Sequence, residues 1–308
     1  MYYFFTSGRG PCHENFNHLS VRPAELYAHF RNVLKKWGDD LLSIKVGRVD
    51  MPFGEEYLWQ DAPDNPLIAN SAPYPWLWDE GITLYGTLRG LGWVISITDG
   101  TLTRSQEENV AKAITAKLYA SPWKPISLSA SFMKNGHTAR GPFLLGGSFF
   151  QPVGASGTSS LGTSPSEMVD AMLYQADATL SFSTQAHLAL TFGKGLIDDQ
   201  NNAFDRDLTW FMIQPRLNFT PKFYAAGRYS EIGTYDANKG YHFGGEFLAG
   251  GNRAYGYDAK RLQRLSFGLG WKVNPHLTIK LEAGRDRYEV INASSLDPTD
   301  DDRKHAYP

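Results

Sequence analysis

The sequence predicts an all-β protein, an antiparallel transmembrane β-barrel of about 12–16 strands. Three observations carry this expectation. Apolar residues recur at every second position over stretches long enough to cross a bilayer, the opposite face of each stretch is hydroxylated or charged, and tight turns alternate with long polar loops along the chain. Short turns face the periplasm and long loops the outside in outer-membrane barrels, so the alternation orients every strand.

Tight connections are expected at Lys35–Asp40, Arg89–Gly92, Ser121–Pro125, Ser183–Gln185, Thr220–Lys222 and Asn274–His276. Long ones are expected at Met51–Trp78, Asp99–Val110, Asn135–Glu167, Gly195–Asp205 and Gly233–Lys260. Between them, Ile114, Ala116 and Leu118 oppose Thr115, Lys117 and Tyr119, and Ser127, Ser129 and Ser131 interleave with Ile126, Leu128, Ala130 and Phe132. Leu188, Leu190 and Phe192 oppose His187, Ala189 and Thr191. Ile213, Leu217 and Phe219 oppose Gln214, Arg216 and Asn218, with Pro215 on the apolar face; a proline there removes a ladder hydrogen bond, so a bulge is expected. Leu265, Phe267, Leu269, Trp271 and Val273, followed by Leu277, Ile279 and Leu281, form the clearest hairpin. Its strands reach the roughly 9–11 residues that spanning requires, whereas ordinary strands average about 5 or 6.

Counting from Leu19 to Val290 gives about twelve strands, with Tyr2–Phe5 as the stub of another. Both ends read as incomplete: Met1–Phe5 lacks the pattern of a secretory signal, and the chain closes on Asp300–Pro308 rather than on an aromatic last strand, so a further strand is expected. Residues 1–308 are read as a single outer-membrane domain. A soluble β-sandwich that binds carbohydrate through exposed aromatics explains the same alternation with its polar face outward.

Composition narrows the function classes. The chain has 308 residues, 42% hydrophobic, and no run approaches the roughly 18 apolar residues of a membrane-spanning helix. A formal net charge of −2 gives nucleic acid no electrostatic argument. One cysteine, Cys12, excludes an internal disulfide or a four-cysteine zinc site, and Cys12-His13 lacks the second cysteine of a haem attachment motif. Asp79 and Glu80 are sequence neighbours that a strand points to opposite faces, so they do not flank one bond. No catalytic constellation, metal site or cofactor motif emerges, and no enzyme is expected.

The run Leu42-Ser43-Ile44-Lys45-Val46-Gly47-Arg48-Val49-Asp50-Met51-Pro52-Phe53-Gly54, with Asn65-Pro66-Leu67 and Trp78-Asp79-Glu80-Gly81-Ile82 after it, resembles the strand-to-loop passage of the phosphate-selective porins of the O/P type. The specific resemblance covers about Leu26–Gly100. It implies a bacterial outer-membrane location amid lipid and lipopolysaccharide, a homotrimer, and a channel for small hydrophilic solutes. It also implies a lumen narrowed by inward loops and lined by bases that favour anions such as phosphate. A barrel that sheathes a multihaem cytochrome would use the same strands around a protein plug.

Within the porin reading, Lys45, Arg48, Lys117, Arg216, Arg228, Lys272 and Lys280 are expected to line the pore, tempered by Glu282 and Asp177. The same side chains would also suit a merely solvated interior, paired with one another. Met51–Trp78 is too rich in aromatics to stand free in water and is expected to fold inward as a constriction loop, carrying Glu55, Trp59, Asp61, Asp64, Tyr74, Trp76 and Trp78. Packing of those rings on the wall or on a neighbouring subunit is the alternative.

Overall fold

The computed structural model describes residues 3–6, 20–23, 25–59, 64–73, 78–100, 112–139, 152–153, 168–199, 206–234, 240–243, 257–274 and 277–290. The strands are β1 (Tyr3–Thr6), β2 (Ser20–Pro23), β3 (Leu26–Phe30), β4 (Ser43–Asp50), β5 (Trp78–Leu88), β6 (Leu91–Thr98), β7 (Ala113–Trp123) and β8 (Ile126–Ala139). They continue with β9 (Pro152–Val153), β10 (Met168–Ser181), β11 (Ala186–Asp199), β12 (Arg206–Asn218), β13 (Phe223–Thr234), β14 (Gly240–Phe243), β15 (Tyr257–Asn274) and β16 (Leu277–Val290). Fourteen form one sheet, in which β3 to β8, β10 to β13, β15 and β16 follow one another by antiparallel pairing. The short β14 and β9 extend from β15, and β1 pairs only with β2, apart from the main sheet. Among the described residues β3 and β16 do not pair, so the sheet keeps two edges.

The burial pattern is inverted relative to a soluble protein. Phe267, Leu269 and Leu281, which a sandwich would bury, are 65%, 56% and 71% exposed, while Asp79, Ser96, Thr115 and Ser230 on the other face are fully buried. Apolar area left outside stabilises nothing in water, since its transfer out of water is worth about 25 cal/mol per Å². Facing acyl chains, it is matched to its solvent, and the antiparallel ladders between neighbouring strands satisfy the backbone within the sheet, as hydrocarbon requires. The sandwich expectation is therefore overturned: the fold is an antiparallel sheet of the transmembrane-barrel kind. Trp37, Trp123, Phe182, Phe219 and Trp271 are exposed beside the short turns, the place of an interfacial aromatic belt.

Two local expectations change. No bulge forms at Pro215: β12 pairs with β13 at Ile213↔Tyr229 and again at Arg216↔Ala226, in one register. The ring is exposed on the apolar face and lies beside Gly227 at ordinary contact distance, so the strand accommodates it without a shift of register. Strands β8 and β11 also run past Asn135 and Gly195, where loops were expected, because pairing with β10 continues to Ala139 and Asp199.

Candidate functional site

The polar face is concave and is occupied by the chain itself. Residues 51–59 and 64–73, between β4 and β5, touch side chains of β6, β7, β8, β10, β12, β13, β15 and β16, which curl around them. Their first anchor is Met51-Pro52-Phe53-Gly54. The Phe53 ring lies 6.4 Å from Trp210 on β12. Gly54 donates its N–H to Ser131 Oγ at 3.0 Å and accepts Lys117 Nζ on its carbonyl at 2.6 Å. Its φ of +74° is left-handed, and a Cβ there would strike the Gln175 amide, so glycine is required twice over. Trp210 in turn donates to Gln175 at 3.0 Å and lies over Gly193, where a Cβ would stand inside the indole.

Lys117, 1% exposed, also pairs with Glu55 at 2.8 Å and lies over the Tyr57 ring at 4.7 Å. Burial, and then the Glu55 carboxylate, push the Tyr57 phenol well above its usual range, so it stays neutral. A short 3-10 turn, Glu56–Leu58, aims Glu56 back at the segment, where it accepts the Ser71 N–H at 2.8 Å and the Ser71 hydroxyl.

The second anchor centres on Arg228 of β13, whose side chain is fully buried. Nε donates to Gln214 at 2.5 Å, Nη1 to the Ala69 carbonyl at 2.6 Å and Nη2 to Asn65 Oδ1 at 3.0 Å. Glu56 Oε1 stands 3.9 Å from Nη1, and the Trp59 ring 5.5 Å from the guanidinium carbon. Asn65 caps its own turn by accepting the Leu67 N–H at 3.0 Å. Lys280 reaches the Asn65 carbonyl, Glu282 accepts the N–H groups of Ile68 and Ala69 at 2.5 and 2.8 Å, and Ala72 donates to Ser230 at 3.0 Å. Arg264, in a bidentate pair with Asp286 at 2.8 Å, adds a contact to the Asn70 carbonyl at 3.3 Å. The Asn65-Pro66-Leu67 turn thus meets β13, β15 and β16, far from its own strands in sequence.

The named bases divide into groups. Lys117, Arg228 and Lys280 hold the segment. Lys45, 4.4 Å from the Tyr27 ring, Arg216, 4.4 Å from the Tyr224 ring, and Lys272 share the concave face and form no ion pair among the described residues. Arg48 departs from expectation: it lies opposite Leu26 and Glu80, on the convex face, and pairs with Glu80 at 2.7 Å. The alternation gives the reason, because Val46 and Ile82 share that face and are exposed. Trp78 is the first residue of β5 rather than part of the loop, on the same convex face by register. Asp64 is exposed; Asp61, Tyr74 and Trp76 lie outside the described residues.

Glu56 carried no sequence signal beyond sitting beside Glu55. Arg264 did, since it shares parity with Ser266 and Lys272 on β15. Asp177 accepts from three neutral donors, Ser129, Gln175 and Thr191, at 3.2, 2.9 and 2.7 Å. Among the described residues no group of three His, Cys, Asp or Glu side chains is placed to hold a metal.

Comparison with known proteins agrees on the fold. No family profile matches the chain, and no curated protein matches its sequence. Among solved structures it is similar to outer-membrane expressed OmpT of Vibrio cholerae, with a TM-score of 0.59 and 10% identity over 89% of this chain and 72% of that one. The trimer form of in-vitro folded OmpT from Vibrio cholerae gives 0.57 and 10% over 89% and 73%. The anion-selective porin from Comamonas acidovorans gives 0.53 and 10% over 81% and 65%. At such identities the likeness is one of fold, and that fold is the outer-membrane β-barrel of bacteria.

Proposed function

We propose that this protein is an outer-membrane channel through which small hydrophilic solutes diffuse passively, with a modest preference for anions. The carrying observation is the division of charge on the concave face. The bases that touch the described residues 51–59 and 64–73 are engaged in fixing that segment, whereas Lys45, Arg216 and Lys272 form no ion pair with a carboxylate among the described residues. Unpaired cations on a polar wall backed by hydrocarbon focus a positive potential into the water between them, which raises the local anion concentration without tight binding. Residues 51–73 serve as the constriction. Phosphate as the preferred anion rests on the resemblance of Leu42–Gly54 to the O/P-type porins, and a homotrimer on that resemblance and on the trimer form of a protein of similar fold.

The reading involves no chemical step. A cytochrome-sheathing scaffold is less well supported, because the chain's own segment occupies the face that a plug would need. Planar-bilayer recording of the refolded protein tests the proposal. Discrete conductance steps are expected, with a reversal potential in a salt gradient on the anion side. An absence of steps, or cation preference at low salt, would overturn it.

A further inference from the structure

Among the described residues, a polar cluster on the convex face stands apart from the channel. At the long-loop end of β13, β15 and β16, Arg261, Gln263, Arg287 and Glu289 line a groove of about 400 Å³. The rungs Leu265↔Arg285, Gln263↔Arg287 and Arg261↔Glu289 place it directly above the exposed Leu265, Phe267, Leu269 and Leu281. Its height follows from the register. From Leu277 to Arg287 the chain advances about 33 Å along the strand, or about 25 Å along the membrane normal at a 40° tilt, the height of a barrel's apolar band. Arg287 therefore stands where hydrocarbon gives way to headgroups.

The acids of the cluster are already engaged. Glu231 accepts from Tyr229 at 2.8 Å and Gln263 at 2.9 Å and pairs with Arg261 at 3.3 Å, and Glu289 pairs with Arg261 at 3.5 Å. Arg285 and Arg287 are exposed and form no ion pair among the described residues. Two guanidinium groups, two residues apart on one strand face, offer a pair of planar forks to phosphate oxygens, and the acyl chains of the same molecule would lie on Leu265 and Phe267 below. We propose that this groove binds the phosphorylated headgroup of an outer-leaflet glycolipid. The site depends on the barrel's place in the outer membrane and not on the channel reading, so conductance can fail while lipid binding holds, or the reverse.

Native mass spectrometry of the detergent-refolded protein tests it, with a hexa-acyl diglucosamine carrying two phosphates as the probe. Wild type is expected to retain this lipid at least tenfold better than its dephosphorylated counterpart, and R285A/R287A to lose that preference. R285K/R287K, which keeps charge but loses the forks, should fall between. Equal retention of the phosphorylated and dephosphorylated lipids, or an unchanged preference in R285A/R287A, overturns the proposal. So does equal retention of the deacylated phosphosugar, which would mark a soluble-phosphate site instead. K124A, at a short turn on the other rim, is expected to bind as wild type does.

Discussion

Arg228→Ala tests the architecture most directly. The guanidinium is fully buried and donates three hydrogen bonds, to Gln214, Asn65 and the Ala69 carbonyl. Removing it deletes three bonds worth about 1.5–3 kcal/mol each when one partner is charged, and also abolishes the desolvation cost of the cation. Glu56, 9% exposed, loses the cation it pairs with at 3.9 Å, and breaking a buried pair from one side costs about 3–5 kcal/mol. We take about 3–5 kcal/mol as the net loss, because the released desolvation offsets much of the hydrogen-bond sum. That loss falls on the docking of residues 51–73 more than on the sheet, whose ladders do not involve this side chain. The expected outcome in planar bilayers is a larger and noisier single-channel conductance, with new protease cleavage within residues 51–73 and little change in β content. Glu56→Gln in the Arg228→Ala background should cost less than Glu56→Gln alone, because the two act through one contact network. Lys194→Ala supplies the internal standard: its pair with Asp207 at 3.3 Å is about half exposed on both sides and is worth below about 1 kcal/mol. If Arg228→Ala matched Lys194→Ala in both conductance and urea midpoint, the claim that Arg228 holds the segment would be wrong.

Further outcomes follow from the same geometry. Gly54→Ala is expected to cost about 1–3 kcal/mol through its left-handed backbone, with the collision against Gln175 in addition, and to widen the channel as Arg228→Ala does; single-channel recording and urea unfolding check both. Arg216→Glu with Lys272→Glu should move the reversal potential to the cation side, and wild-type anion preference should shrink from 0.1 M to 1 M salt as the screening length falls from about 10 to about 3 Å. Leu281→Arg, near the middle of the apolar band, should destabilise folding into lipid vesicles by about 2–4 kcal/mol in a urea titration, whereas Leu281→Phe should be near neutral.

How much of this was legible beforehand differs between the sheet and the site. The strands were readable because a period of two leaves its mark residue by residue: Leu265 to Val273 and Leu277 to Leu281 name their own faces, and the described short turns overlap the stretches where the sequence places them, with β6 and β7 extending into Arg89–Gly92 and Ser121–Pro125. The same parity would have placed Arg48 outside with Val46. The resemblance to a porin loop passage drew attention to it as a lumen base instead. Parity also marks Arg264 as a concave-face residue. Pro215 misled for a different reason, since its cost depends on what lies across the strand, and Gly227 is known as its neighbour only once the register is known.

The alternating pattern by itself determined that the chain makes long antiparallel strands with one apolar and one polar side, and that its short and long connections lie at opposite ends. It left open which side faces out, since a sandwich and a barrel share one alternation. Only the tertiary structure decided that, by leaving Phe267 and Leu281 exposed while burying Ser96 and Ser230. Only the tertiary structure decided, too, that Lys117 and Arg228 hold a segment while Lys45, Arg216 and Lys272 form no ion pair among the described residues. Pairings such as Arg228 with Asn65 and Glu282 with Ile68 span more than 150 residues of chain, and they exist because curling the sheet brings distant strands around one loop. Local periodicity encodes a face; which charges meet across that face depends on curvature.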